Sequence, residues 1–238
     1  MPSSDEYFST LIPQGEALIA AGRPATPFSA LRWREPAPPR LECDLRALTV
    51  AAAPAAPTTA MRAAYAGLLR EIRRFDPGQV LFTALEPGQG TSFTAANVAA
   101  LWAEDAPEEN VLYFEAYSGP HDEDPLLDVS GELCRDARKL EAFLGATATA
   151  NFFRLNIAAG AAVLDGMGEL WARLTATFAR VFIDASPAGY NPLAPWLGAH
   201  ASGVALVARK APDGRQVKKF TDALTAAGGR FMGVVLNA

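Results

Sequence analysis

The sequence predicts an α/β protein with a doubly wound, mostly parallel sheet and helices on both faces. Three observations lead there. The chain has 238 residues, 50% hydrophobic and 20% charged, enough for one domain with a substantial core. Its short apolar runs, such as VLYF and GVALV, lack the apolar–polar alternation of a strand with one wet face, so they read as strands buried on both sides. Those runs alternate with amphipathic helical segments, the order that gives crossover connections and parallel pairing.

Residues 1–57 stand apart from this pattern. Nine of the eighteen prolines fall in residues 1–60, in stretches such as REPAPPR (34–40) and AAAPAAPTTA (51–60). Proline removes an amide donor and disfavours helix in the residue before it. The expected organisation is a Pro/Ala-rich, largely disordered leader over 1–57 and one folded domain over 58–238.

Within that domain Met61, Tyr65, Leu68, Leu69, Ile72 and Phe75 recur at helical spacing, with Arg62, Arg70, Arg73 and Arg74 mostly on other faces. Asp76-Pro77-Gly78 ends this helix, and QVLFTAL (79–85) follows as a buried strand. A helix is expected over 91–104, a strand over 111–116, a helix over 131–143 and a strand over 152–158. Val163, Leu164, Met167, Leu170, Trp171, Leu174 and Phe178 form an apolar stripe on the next helix, which leads into a strand ending at Asp184. GVALVAR (203–209) is another buried strand. Pro212-Asp213-Gly214 opens a helix with Val217, Phe220 and Leu224 inward, Gly228-Gly229 closes it, and RFMGVVLN (230–237) is the last strand.

Bulk properties exclude several function classes. The net charge of −5 and pI of about 5.1 leave no basic footprint for nucleic acid. Cys43 and Cys134 show no metal spacing, and His121 and His200 alone give a zinc site or a histidine triad little to build on. No apolar run reaches membrane-spanning length, and MPSSDEYFSTL lacks the order of a signal peptide. The expected location is the cytoplasm, with any recruitment to a membrane left to a partner.

One loop carries the strongest chemical signal. LEPGQGTSFTAANVAALWAE (85–104) has the outline of a phosphate-binding loop running into a helix. Glycines let the backbone curl and present N–H groups to an anion, the helix N-terminus adds its dipole, and Ser92 supplies a hydroxyl for Mg²⁺. Such loops also need a lysine for the β- and γ-phosphates, and Thr91 stands in that place. Gln89 rules out a lysine shifted within the loop, and none of Lys139, Lys210, Lys218 and Lys219 lies near it in sequence.

With its companions, this loop resembles the bacterial tyrosine kinases that act beside membrane polysaccharide co-polymerases. PGQGTSFTAANVAALWAE looks like their Walker A segment, VFIDASP (181–187) like their Walker B pattern, FFRLNIAAG (152–160) like the piece before it, and GVVLN (233–237) like their closing strand. The likeness runs from about 58 to the C-terminus. Related partition and positioning ATPases share the fold, but the DxxP ending and GVVLN fit the kinases better. The resemblance implies ATP or ADP with Mg²⁺ as the ligand class. Gly88, Gln89, Gly90, Thr91 and Ser92 would lie around the phosphates, Asn237 near the adenine, and Ser92 and Asp184 at the metal. Were the chain active, Glu115 and Asp184 would carry the catalysis.

The departures from that family fall on one function. Where an active member continues its second acidic motif with Asp-x-Asp-x-Arg, this chain has Glu115-Ala116-Tyr117-Ser118-Gly119. The oligomerising Glu-x-x-Arg-x-x-Arg helix aligns with Ala63, Ala66 and Leu69, and no tyrosine-rich tail follows Asn237. Phosphoryl transfer depends on positioning and charge neutralisation, so losing lysine and a metal carboxylate together removes its main support. The expectation is a non-catalytic pseudo-kinase subunit, with weak ATP or ADP binding at most. It would regulate exopolysaccharide or capsule biosynthesis or export with a membrane co-polymerase of the chain-length-regulator type, and could form a homo-oligomer. The basic face of the 61–75 helix and the prolines before it are candidate partner contacts. The alternatives are an active ATP-dependent tyrosine kinase with an atypical Walker A loop, and a partition or positioning ATPase switch.

Overall fold

A computed structural model describes residues 59–75, 78–117, 136, 139–158, 161–185, 187 and 194–237. The leader expected over 1–57 lies outside the described residues, as does Gly119. The elements, in chain order, are α1 (Thr59–Arg74), β1 (Gln79–Thr83), α2 (Thr91–Asp105), β2 (Val111–Tyr117), α3 (Leu140–Phe143) and β3 (Gly145–Ala146). They continue with β4 (Phe152–Ala158), α4 (Ala161–Thr177), β5 (Arg180–Ala185), α5 (Ala194–His200), β6 (Gly203–Ala208), α6 (Gly214–Ala226) and β7 (Phe231–Leu236).

Among the described residues, seven strands form one sheet in the order β3-β4-β2-β5-β1-β6-β7. All neighbours are parallel except the two-residue β3, which runs antiparallel to β4. The doubly wound, mostly parallel sheet expected from the sequence is therefore present. Successive side chains leave a strand on opposite faces, so each central strand feeds two cores. Val80, Phe82, Val111, Tyr113, Phe182, Ala205 and Val207 pack with α1 and α2 on one face. Leu81 and Val204 approach Gly198 of α5 on the other, where Leu224 of α6 also lies. Trp171 of α4 meets Trp196 of α5 edge to face, with ring centroids 5.9 Å apart.

Helix α1 buries the expected stripe, Tyr65, Leu69 and Ile72. Ten of the fifteen residues of α2 are buried, because its alanines let it lie close between α1 and the sheet. The arginines of α1 stay exposed and pair with acidic neighbours at the surface: Arg62 with Glu104, Arg73 with Asp105 at 3.2 Å and Arg74 with Glu71 at 2.8 Å.

Helix α5 was not anticipated. Its seven residues include Pro195 and Gly198, which obscure a helical pattern; proline is tolerated in a first turn, and a Cβ at Gly198 would come within 3.0 Å of Leu224. Of the helix expected over 131–143, the last turn is described, as α3. Strand β7 is as apolar as the central strands yet forms the sheet edge, leaving Val234 and Leu236 exposed. Among the described residues, no helix is long and apolar enough to cross a membrane.

Candidate functional site

Chain order reverses at β1: β5 and β2 lie on one side of it, β6 and β7 on the other. Ligands of open α/β sheets bind in the crevice at such a switch point, outside the strand C-termini. The loop after β1 fills that place. Gly88 and Gly90 hold left-handed backbone angles, with φ of 77° and 85°, conformations that glycine adopts without steric cost. Gly90 caps α2, no side chain helps it, and a Cβ there would collide with the side-chain amide of Asn237.

The loop is tied to the ends of two other strands. Asn237 donates from Nδ2 to the Gln89 carbonyl at 3.2 Å, and its own backbone N–H donates to the Ala208 carbonyl at 2.8 Å. The Arg209 backbone N–H donates to Gln89 Oε1 at 2.8 Å. A cleft of about 660 Å³ opens between Gly90, Phe93, Arg209 and Asn237. A second, of about 410 Å³, lies along Glu86, Gln89, Lys210 and Asp213. Although no lysine is near the loop in sequence, the pairing of β6 with β1 sets Arg209 and Lys210 beside these clefts.

Behind the loop lies a compact polar cluster. Asp184, near the end of β5, is only 4% exposed. Its carboxylate accepts hydrogen bonds from the Ser92 hydroxyl and, at Oδ2, from the Tyr113 hydroxyl at 3.0 Å. Register explains the convergence. Glu115 stands opposite Asp184 on β5 and Asn156 on β4, while Tyr113 stands opposite Phe182 and Arg154 one row earlier, so all share a sheet face. Arg154 pairs with Glu115 at 3.6 Å, and its guanidinium lies 5.6 Å from the centre of the Tyr113 ring.

Burial sets the proton affinities here. It pushes the Asp184 carboxyl above the ordinary range, against the two hydroxyl hydrogen bonds that pull it down. Glu115 is raised by burial and by the charge of Asp184, with Arg154 opposing. The Tyr113 hydroxyl is driven well above the usual phenol range by burial and the neighbouring carboxylates, so it stays protonated and donates.

The fold brings the expected residues together: Gly88, Gln89, Gly90, Thr91 and Ser92 in the loop, Asp184 and Glu115 behind it, and Asn237 at its flank. Thr91 is buried at the head of α2. Tyr117 is the final residue of β2.

No family model matches the chain, and no curated protein matches it. Solved structures do. The kinase domain of Escherichia coli tyrosine kinase ETK matches at a TM-score of 0.58 with 17% identity, covering 73% of this chain and 72% of that one. The VpsO kinase domain matches at 0.60 with 21% identity, covering 74% and 93%. The BceF tyrosine kinase domain matches at 0.55 with 20% identity, covering 74% of each. The chain has the fold of bacterial tyrosine-kinase domains. At these identities the fold is what is shared.

Within this kinase fold, sequence reasoning missed three residues of the site. Tyr113 looked like part of an apolar strand, although its two-residue spacing from Glu115 places both on one face. Arg154 is a lone cation in the apolar run FFRLNIA, the kind of residue that needs a partner when part-buried. Arg209 lies at the C-terminal end of β6, and only strand order reveals that this end adjoins the loop.

Proposed function

We propose that this chain is a non-catalytic subunit of the bacterial tyrosine-kinase type, which helps control exopolysaccharide or capsule assembly or export together with a membrane co-polymerase. The observation that carries the non-catalytic part is the charge of the loop. Thr91 replaces the lysine that neutralises developing charge on the transferred phosphoryl group. The kinase fold of the solved neighbours supports the polysaccharide setting.

A gene deletion tests this directly. Loss of the chain is expected to reduce polymer export, and re-expression of Asp184→Asn is expected to restore it as well as the native chain does. If the native chain restores export and a stably folded Asp184→Asn does not, the non-catalytic reading falls.

Retained ligand binding is a second reading, favoured by the intact loop. The positive-φ glycines, the start of α2 without a side-chain cap and the nearby Arg209 and Lys210 suit an anion such as the phosphates of ADP. Calorimetry with ADP is expected to show weak binding that strengthens in Thr91→Lys; unchanged heat in that variant contradicts a retained cradle.

A further inference from the structure

In phosphate-loop proteins the cluster behind the loop holds Mg²⁺, and the residues here do not fit that ion. Mg²⁺ demands near-octahedral oxygen ligands and keeps several waters when bound. Asp184 is 4% exposed, and both a serine and a tyrosine hydroxyl already donate to it. The phenol of Tyr113 takes one acceptor site of the carboxylate, donating to Oδ2 at 3.0 Å. Glu115, the other carboxylate of the cluster, is engaged by Arg154 at 3.6 Å.

From this geometry we infer that Arg154 has taken over the role of the divalent cation. Its guanidinium sets a fixed positive charge beside Glu115, which stands opposite Asp184 across the β2–β5 pairing, while Tyr113 packs its ring against that guanidinium and donates its hydroxyl to Asp184. Three strands in register build the device: β4 contributes Arg154, β2 contributes Tyr113 and Glu115, and β5 contributes Asp184. Two adjacent carboxylates on one face would repel each other without a cation, and a side chain meets that need permanently where a free ion would meet it reversibly. The site is therefore built to keep one electrostatic state whether or not Mg²⁺ is present. This inference rests on the proposed reading of the chain as a non-catalytic subunit of the kinase type; it adds what stands in the place of the metal.

The test is titration of the full chain with Mn²⁺, following free Mn²⁺ by electron paramagnetic resonance. The native chain is expected to show no saturable binding in the millimolar range. The double variant Arg154→Met with Tyr113→Phe should bind at least ~10-fold more tightly, since it leaves two carboxylates without a built-in cation, and adding Asp184→Asn should abolish that gain. Arg154→Gln with Tyr113→Phe, which keeps a polar group beside Glu115, serves in its place if the methionine variant does not fold. Saturable Mn²⁺ binding by the native chain that disappears in Asp184→Asn overturns the inference, as does a folded double variant that gains nothing. ATP turnover by a native chain that binds no Mn²⁺ at Asp184 would instead defeat the non-catalytic reading and leave the cation replacement standing, so the two failures are distinguishable.

Discussion

Gly88 and Gly90 differ in what their missing side chains allow. Both sit at positive φ, but space is open around a Cβ at Gly88, whereas one at Gly90 would strike Asn237. Gly88→Ala should cost only the left-handed backbone penalty, about 1–2 kcal/mol. Gly90→Ala should cost more, about 2–4 kcal/mol, because a clash adds to the backbone strain. Urea unfolding of the two variants checks this, and equal losses would contradict the close approach of Asn237 to the loop. The carboxylates give a second prediction at this scale. Glu115 and Asp184 both have folded-state proton affinities above their ordinary values of 4.5 and 3.8. The folded chain then holds more protons than the unfolded one from those values upward, so these groups favour the fold when protonated, and that contribution fades as pH rises through the folded values. Glu115→Gln should flatten the decline in stability with rising pH. An unchanged slope would show that Glu115 is not a source of it.

At the scale of elements, the contact between α1 and α2 is held chiefly by apolar packing, despite its visible ion pairs. Ile72 is 2% exposed in the core, while the side chains of Arg62 and Glu104 are 43% and 36% exposed. Ile72→Ala is expected to cost about 2–5 kcal/mol, and Arg62→Ala far less, because water screens exposed pairs. Denaturant midpoints of the two variants decide the matter; comparable losses would mean the ion pair matters more than its exposure suggests. Elements were also the most legible level of the sequence. The strands at 152–158 and 203–208 stood out as apolar runs, and the loop at 85–90 announced itself by its glycines. Burial alone does not say which strand is the edge, so β7 could not be told from the central strands. Helix α5 was too short, and too interrupted by Pro195 and Gly198, for periodicity to show.

For the whole molecule, what sequence could not supply was neighbourhood. Placing β1 between β5 and β6 gathers Ser92, Asp184 and Arg209 from distant parts of the chain, and the parallel register of β4, β2 and β5 aligns Arg154, Tyr113 and Glu115 behind them. Motif reading found Gly88, Gly90 and Ser92 in the loop and Asp184 on the strand behind it. It missed those that set the local charge, because Tyr113 and Arg154 matter through partners on other strands. The molecule is a sheet of the kinase-domain fold whose switch-point loop carries two left-handed glycines and Thr91, with Tyr113, Arg154, Glu115 and Asp184 gathered behind it. Its central claim is that this chain does not transfer phosphate. The most direct test incubates the native chain and its Asp184→Asn variant with Mg²⁺ and γ-labelled ATP, with and without the membrane co-polymerase, and follows labelled phosphate released or transferred to tyrosine. The account predicts no label above the variant's background under any of these conditions; Mg²⁺-dependent label formed by the native chain and lost in Asp184→Asn would contradict it.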